Sequence, residues 1–88
     1  MSNVIKFQGE KVKVLQLYIG KRDCCRCGCG GRYLTGMASI KKHLKEHADE
    51  FESARIEEGL GKEHFAEIDL GRYANGEAKC ATLYFEYA

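Results

Sequence analysis

The 88-residue sequence has no apolar run of about 18 residues, the length that a membrane-spanning helix needs. Its N-terminus, MSNVIKFQGEKVKV, also lacks the apolar core of a secretory signal peptide. We therefore expect a protein that neither spans a membrane nor is secreted, in a reducing intracellular compartment, either cytoplasm or nucleus. Because no internal repeat, low-complexity segment or linker interrupts the chain, we expect a single domain over residues 1–88.

The sequence also lacks the common catalytic signatures. It contains no glycine-rich phosphate loop and no Ser/His/Asp arrangement, so we expect neither an enzyme nor a small-molecule substrate. A chain of this length buries only about 60 to 65% of its unfolded surface, which leaves the hydrophobic core small. Additional stabilisation, such as a bound metal, is therefore expected.

What the chain does have is a charge asymmetry that its net charge of +1 conceals. Residues 1–47 contain ten Lys or Arg and three acidic residues, whereas residues 48–88 contain four and ten. Such a division can mark a half that faces nucleic acid. It is equally typical of head-to-tail self-association, or of two faces that compensate each other within the fold.

The apolar pattern predicts two β-hairpins. VIKF and KVKVLQLYI, joined by QGE, predict a hairpin over residues 4–19, and a second is predicted over residues 65–87 with Asn75-Gly76 as its turn. Within the first hairpin, the apolar alternation changes phase between Val14 and Leu15. That change indicates a β-bulge or a strand that is buried on both sides.

Between the hairpins, apolar residues recur at spacings of three and four, which predicts one amphipathic helix from Met37 to about Glu58. Thr35 or Ser39 would cap its N-terminus, and Gly59 would end it. The predicted fold is α+β, with the order ββ-α-ββ: a small antiparallel sheet with one helix packed on it. The apolar stripe of this helix comprises Met37, Ile40, Leu44, His47, Ala48 and Phe51.

The segment CCRCGCGG carries four of the five cysteines within six positions. An odd number of thiols in a protein that is not secreted argues against a disulfide framework. His43 and His47 are four residues apart on the predicted helix, so their imidazoles share one face. Two thiolates from a turn and two imidazoles from a helix form a closed tetrahedral zinc site, which is structural rather than catalytic.

The stretch from Cys24 to His47 resembles a two-Cys two-His zinc finger. Thirteen residues separate Cys29 from His43, and three separate His43 from His47. Tyr33 and Ile40 match, within one inserted residue, the two positions that form the small hydrophobic core of such a finger. A competing register, CCRCG, forms a zinc knuckle in which Gly28 permits the tight turn. The two registers leave the thiolates open; we favour Cys24 and Cys27 with His43 and His47 as the ligands of one structural zinc, and Cys29 and Cys25 as alternates.

The resemblance implies contact with nucleic acid, but not base-specific reading. The positions where finger helices contact bases hold Gly36, Ser39 and Lys42, of which only Lys42 is a usual contact. We therefore predict a regulatory module that binds the nucleic-acid backbone through a basic patch. The predicted patch comprises Lys21, Arg22, Arg26, Arg32, Lys41, Lys42 and Lys45.

The alternative is a protein-binding module in which zinc is purely structural. In that interpretation, the chain forms a homodimer, or acts as an adaptor or inhibitor of a larger complex, through its open sheet edges and its charge asymmetry.

Overall fold

The structure, a computed structural model, describes residues 3–21 and 31–88. Its described part contains six strands and two short helices, so the predicted ββ-α-ββ order with one helix is wrong. In chain order the elements are β1 (Val4–Phe7), β2 (Glu10–Lys21), β3 (Arg32–Leu34), α1 (Met37–Glu46), α2 (Ala48–Glu52), β4 (Ile56–Glu58), β5 (His64–Arg72) and β6 (Ala78–Tyr87).

All six strands belong to one antiparallel sheet with the order β1-β2-β6-β5-β4. β1 and β3 both pair with the edge of β2 that faces away from β6, β1 near the start of β2 and β3 near its end. The β1–β2 turn is formed by Gln8 and Gly9, whose φ angles of 49° and 85° are typical of the two-residue turns that join antiparallel strands. The second hairpin joins β5 to β6 through the segment that contains Asn75 and Gly76.

The apolar phase change in β2 is a β-bulge. Val14 is opposite Phe85 and Gln16 is opposite Tyr84, so Leu15 is the extra residue on β2. The bulge lets Val12 and Val14 share one face of the sheet with Leu17 and Ile19, although their spacing differs in parity.

The fold prediction failed at the two shortest strands and at the helix. β3 and β4 have three residues each, too few for an alternating pattern to be recognised, and β4 lies where the helix was expected to continue. Pairing with β5 sets Ile56 opposite Ala66, and this tertiary contact outweighs the helix propensity of the flanking glutamates.

The helix also divides at His47, whose φ and ψ angles of −120° and 35° are not helical. Gly36 occupies the N-cap of α1 and makes no side-chain capping bond, so neither predicted cap, Thr35 or Ser39, caps α1. A long-range contact holds the end of α2, because the Gln8 amide donates to the carbonyl oxygens of Phe51 (2.7 Å) and Ala54 (2.8 Å).

The two helices cover one face of the sheet, and the main core lies between the helices and that face. Ile40 of α1 and Phe51 of α2 are 0% and 2% exposed and pack with the buried residues of β1, β2, β5 and β6. The opposite face carries a second, smaller buried cluster formed by Tyr18, Cys80 and Tyr84. Neither α1 nor α2, the helices in the described part of the chain, has the length and apolar character needed to cross a bilayer.

Candidate functional site

The predicted zinc ligands fall partly outside the described structure. The four thiols of Cys24, Cys25, Cys27 and Cys29 lie in residues 22–30, outside the described residues. Within residues 3–21 and 31–88, no group of three or more His, Cys, Asp or Glu side chains is placed to hold a metal ion. Cys80, the fifth cysteine, is buried on β6.

His47 lies away from Lys21 and Gly31, the described residues on either side of the cysteine segment. The His47 carbonyl oxygen accepts a hydrogen bond from the Phe51 amide, and the Phe51 carbonyl oxygen accepts one from Gln8, so His47 lies near the β1–β2 turn. Lys21 and Gly31 lie at the other end of β2, whose twelve residues extend over roughly 35 Å. The His47 Nδ1 atom is 3.5 Å from Glu50 Oε2, an exposed carboxylate. The zinc site stays a prediction, to be tested by metal analysis of the reduced protein.

The predicted basic patch is divided by the fold into two separate groups. Lys21 and Arg32 lie at the end of the sheet where β2 ends, whereas Lys41 and Lys45 line a groove between α1 and β1. Lys42 is exposed on α1 but does not line that groove. Arg22 and Arg26 are outside the described residues.

At the sheet end, cations from both halves of the sequence meet. Lys79 of β6 lies directly opposite Lys21 of β2, and Arg32 of β3 lies opposite Ile19, so all three side chains belong to the helix-covered face. Like charges directly opposite each other across two strands are destabilising. We call the group formed by Lys21, Arg32, Tyr73, Glu77 and Lys79 the strand-end site.

One acidic residue offsets part of this charge. The Lys21 Nζ atom is 2.7 Å from Glu77 Oε2. This hydrogen bond lowers the pKa of the Glu77 carboxyl from its usual value, and the charge of Lys21 adds to the effect. Glu77 therefore stays ionised at neutral pH and forms an ion pair with Lys21.

The other two cations face an open pocket. Ile19, Gly31, Arg32, Tyr73 and Lys79 line a depression of about 430 Å³, and the Lys79 Nζ atom lies 5.5 Å from the centre of the Tyr73 ring. Among the described residues, neither Arg32 nor Lys79 has a carboxylate partner. Two cations beside an aromatic ring form a surface suited to an anion attached to a planar group.

The charge distribution along the sequence did not reveal three of the five residues of this site. Tyr73, Glu77 and Lys79 all lie in the acidic half, residues 48–88. A signal was present in the predicted hairpin, since all three residues lie close to the Asn75-Gly76 turn. Closeness to the turn indicates that the three residues lie at one end of the sheet. It does not indicate that β2, which carries Lys21, ends at the same place.

Comparisons with known proteins give this chain no relative. Neither the protein-family models, nor the curated proteins, nor the solved structures contain a match.

Proposed function

We propose that this protein binds nucleic acid through the strand-end site, mainly by contact with the sugar-phosphate backbone. The observation that carries the proposal is that Arg32 and Lys79, two cations without acidic partners in the described structure, line one pocket. The site is smaller than the basic patch expected from the sequence, and it gains Lys79 from the acidic half.

Phosphate is the ligand that this arrangement favours. The guanidinium of Arg32 offers paired N–H donors that match two phosphate oxygens, and the Lys79 ammonium supplies a second positive charge. A bound phosphate would also relieve the repulsion between Lys21 and Lys79, which lie opposite each other across β2 and β6.

The Tyr73 ring favours a nucleic acid over a free inorganic anion. Tyr73 is half-buried at the pocket wall, and an aromatic ring beside two phosphate-binding cations is the arrangement on which unpaired bases stack. Among the described residues, the lining contains no Asn, Gln, Asp or Glu side chain, which leaves Arg32 and Lys79 as its charged groups. In this proposal both cations contact phosphates, so binding is mainly independent of base sequence.

The test is a fluorescence anisotropy titration with labelled oligonucleotides of mixed sequence, both single-stranded and duplex, between about 50 and 200 mM salt. We expect the logarithm of the observed association constant to fall linearly with the logarithm of the salt concentration. The double variant Arg32→Ala, Lys79→Ala should bind more weakly, with a slope shallower by about 0.9 per lost phosphate contact on duplex DNA.

The matched control is Lys11→Ala, Lys13→Ala, which removes the same charge from exposed positions near the start of β2. It should change affinity and slope much less. Equal losses in the two double variants, or no binding by the parent protein at low salt, would contradict the proposal.

A further inference from the structure

A second surface of the molecule lies between the edge strand β1 and the two helices, well away from the strand-end site. A groove of about 290 Å³ opens there. Its floor is apolar: Phe7 and Phe51 are 4% and 2% exposed, and Ile5 and Leu44 are half-buried beside them. The rings of Phe7 and Phe51 meet edge to face with their centres 6.3 Å apart, which holds strand and helix together at the base of the groove.

The rim of the groove is positively charged. Lys41 and Lys45 of α1 line it, as does Lys6 of β1, whose side chain is on the opposite face of the sheet from Ile5 and Phe7. Glu52 is the one acidic residue among the described residues that line the groove. Lys41 and Lys45 are one helical turn apart and therefore project from the same side of α1. An occupant of this groove would meet an apolar base and a net positive edge.

The backbone of β1 offers a third kind of contact. Phe7 and Glu10 flank the two-residue turn and form a hydrogen-bonded pair, as do Asn3 and Val14, whose main-chain N···O distance is 2.9 Å. Because hydrogen-bonded and non-hydrogen-bonded pairs alternate along antiparallel strands, Lys6 opposite Lys11 is non-hydrogen-bonded. The N–H and C=O of Lys6 therefore point away from β2, toward the side where the described structure places no further strand.

We propose that this groove binds an extended acidic segment of a partner protein, which pairs with β1 as an additional strand. An outward-facing peptide group on an edge strand is the template for such strand addition. Alternate side chains of the added strand would enter the apolar floor. Acidic side chains on the same face of the added strand, beside the apolar ones, would meet Lys41 and Lys45, and acidic side chains on its other face would meet Lys6.

Nucleic acid fits this groove less well than a peptide does. The apolar floor offers no hydrogen-bond donor to a phosphate; it is formed by Ile5, Phe7, Leu44 and Phe51. The outward N–H and C=O of Lys6 would pair with the backbone of an added peptide strand. A second copy of the chain is the competing occupant, since β4, at the opposite edge of the sheet, carries Glu57 and Glu58. The binding experiment distinguishes these occupants.

The probe is a fluorescein-labelled peptide in which two valines separated by one glutamate are flanked by two glutamates on each side, so that the valine face also carries glutamates. It is titrated with the full chain and followed by anisotropy. We expect saturable binding, and at least tenfold weaker binding by the variant Lys41→Glu, Lys45→Glu. The matched control is Lys42→Glu, Lys62→Glu, which reverses two exposed lysines outside the groove and should retain the affinity. A peptide in which lysine replaces glutamate should not bind.

A second pair of variants isolates the backbone contact. Lys6→Pro removes the outward N–H while keeping the β1–β2 hydrogen bonds, because proline is tolerated at an edge position whose N–H faces away from its neighbour. Lys6→Ala removes only the side chain. We expect Lys6→Pro to bind the acidic peptide several-fold more weakly than Lys6→Ala does, with both variants folded by circular dichroism.

Three results would overturn the proposal: no binding of the acidic peptide, equal losses in the groove and control variants, or equal affinity for the lysine peptide. A molecular mass that rises with protein concentration in light scattering and falls in Lys41→Glu, Lys45→Glu would identify a second copy as the occupant. An oligonucleotide that displaces the labelled peptide from the groove, and still does so in the variant Arg32→Ala, Lys79→Ala, would identify nucleic acid as the occupant of the groove instead.

Discussion

The strand-end site and the groove beside β1 both carry lysines from the basic half of the chain, yet they offer different chemistry. At the strand end, Lys21, Arg32 and Lys79 are fixed on paired strands, and the pocket that Arg32 and Lys79 line is bordered by the Tyr73 ring. In the groove, Lys41 and Lys45 surround a floor of buried aromatic and aliphatic side chains. The surroundings of a cation, more than its charge, decide whether it suits a phosphate or an acidic peptide.

The two regions also differ in how they are held. The strand-end site depends on close backbone packing of glycines against Tyr18 and Ile19. The groove depends on phenylalanine packing between β1 and α2 and on the hydrogen bonds from Gln8. Substitutions can therefore disturb one region while leaving the contacts of the other intact, and the three below are ordered by expected effect.

The largest effect is expected at the groove floor. Phe7→Ala removes a ring that is 4% exposed and contacts Phe51 and Phe85, with ring centres 6.3 and 5.4 Å away. We expect the free energy of unfolding to fall by about 3 to 5 kcal/mol, because the cavity cannot fully collapse between strand and helix. Urea denaturation followed by circular dichroism measures this.

The control for that substitution is Leu60→Ala, at a side chain that is 92% exposed and should change stability by less than about 0.5 kcal/mol. An equally small effect in Phe7→Ala would mean that the groove floor is not packed as described.

An intermediate effect is expected beside the strand-end site. A Cβ atom at Gly31 would lie 2.6 Å from the Ile19 carbonyl oxygen and 2.7 Å from Tyr18 Cε1. Gly31→Ala must therefore displace β3 from β2, and we expect it to lower the free energy of unfolding by about 1 to 3 kcal/mol. It should also weaken oligonucleotide binding, because Arg32 is the next residue, and leave peptide binding at the groove unchanged.

Gly36→Ala is the matched substitution, since its added Cβ meets nothing within 4 Å and its φ of −74° suits any residue. Its stability should stay within about 0.5 kcal/mol of the parent protein. If urea denaturation gives the two glycine variants the same free energy of unfolding, the close packing of Gly31 against β2 does not contribute to stability as described.

The smallest effect on stability is expected from Glu77→Gln, which removes the exposed partner of Lys21. Because the Lys21 hydrogen bond lowers the pKa of Glu77 in the folded protein, the pair contributes stability above the unfolded pKa. That contribution is lost as pH falls through the lowered folded pKa. The small stability difference between the parent protein and Glu77→Gln should therefore be present at neutral pH and disappear in acid.

The same substitution sharpens the contrast between the two regions. Removing the Glu77 carboxylate raises the positive charge of the strand-end site by one, so the salt dependence of duplex binding should steepen. Binding of the acidic peptide at the groove should not change. An unchanged salt slope would indicate that Lys21 does not contact nucleic acid.

Part of this architecture could be predicted from local sequence, because the signals involve neighbouring residues. The turns at Gln8-Gly9 and Asn75-Gly76, and the bulge at Leu15, follow from turn residues and from the period of two along a strand. The start of the helix at Met37 also followed from a local signal, the spacing of apolar residues at three and four. Its end was not, since Ile56 pairs with β5 instead of continuing the helix.

The candidate sites depended on contacts that no local pattern encodes. The sequence by itself determined which segments form hairpins and which half of the chain carries positive charge, because alternation, turn chemistry and charge are properties of nearby residues. Only the tertiary structure decided that β6 pairs with β2, which sets Lys79 opposite Lys21, and that β1 forms an edge beside α1. Strand order and register are determined by the joint burial of the whole core, and so the composition of each site follows from the packed sheet.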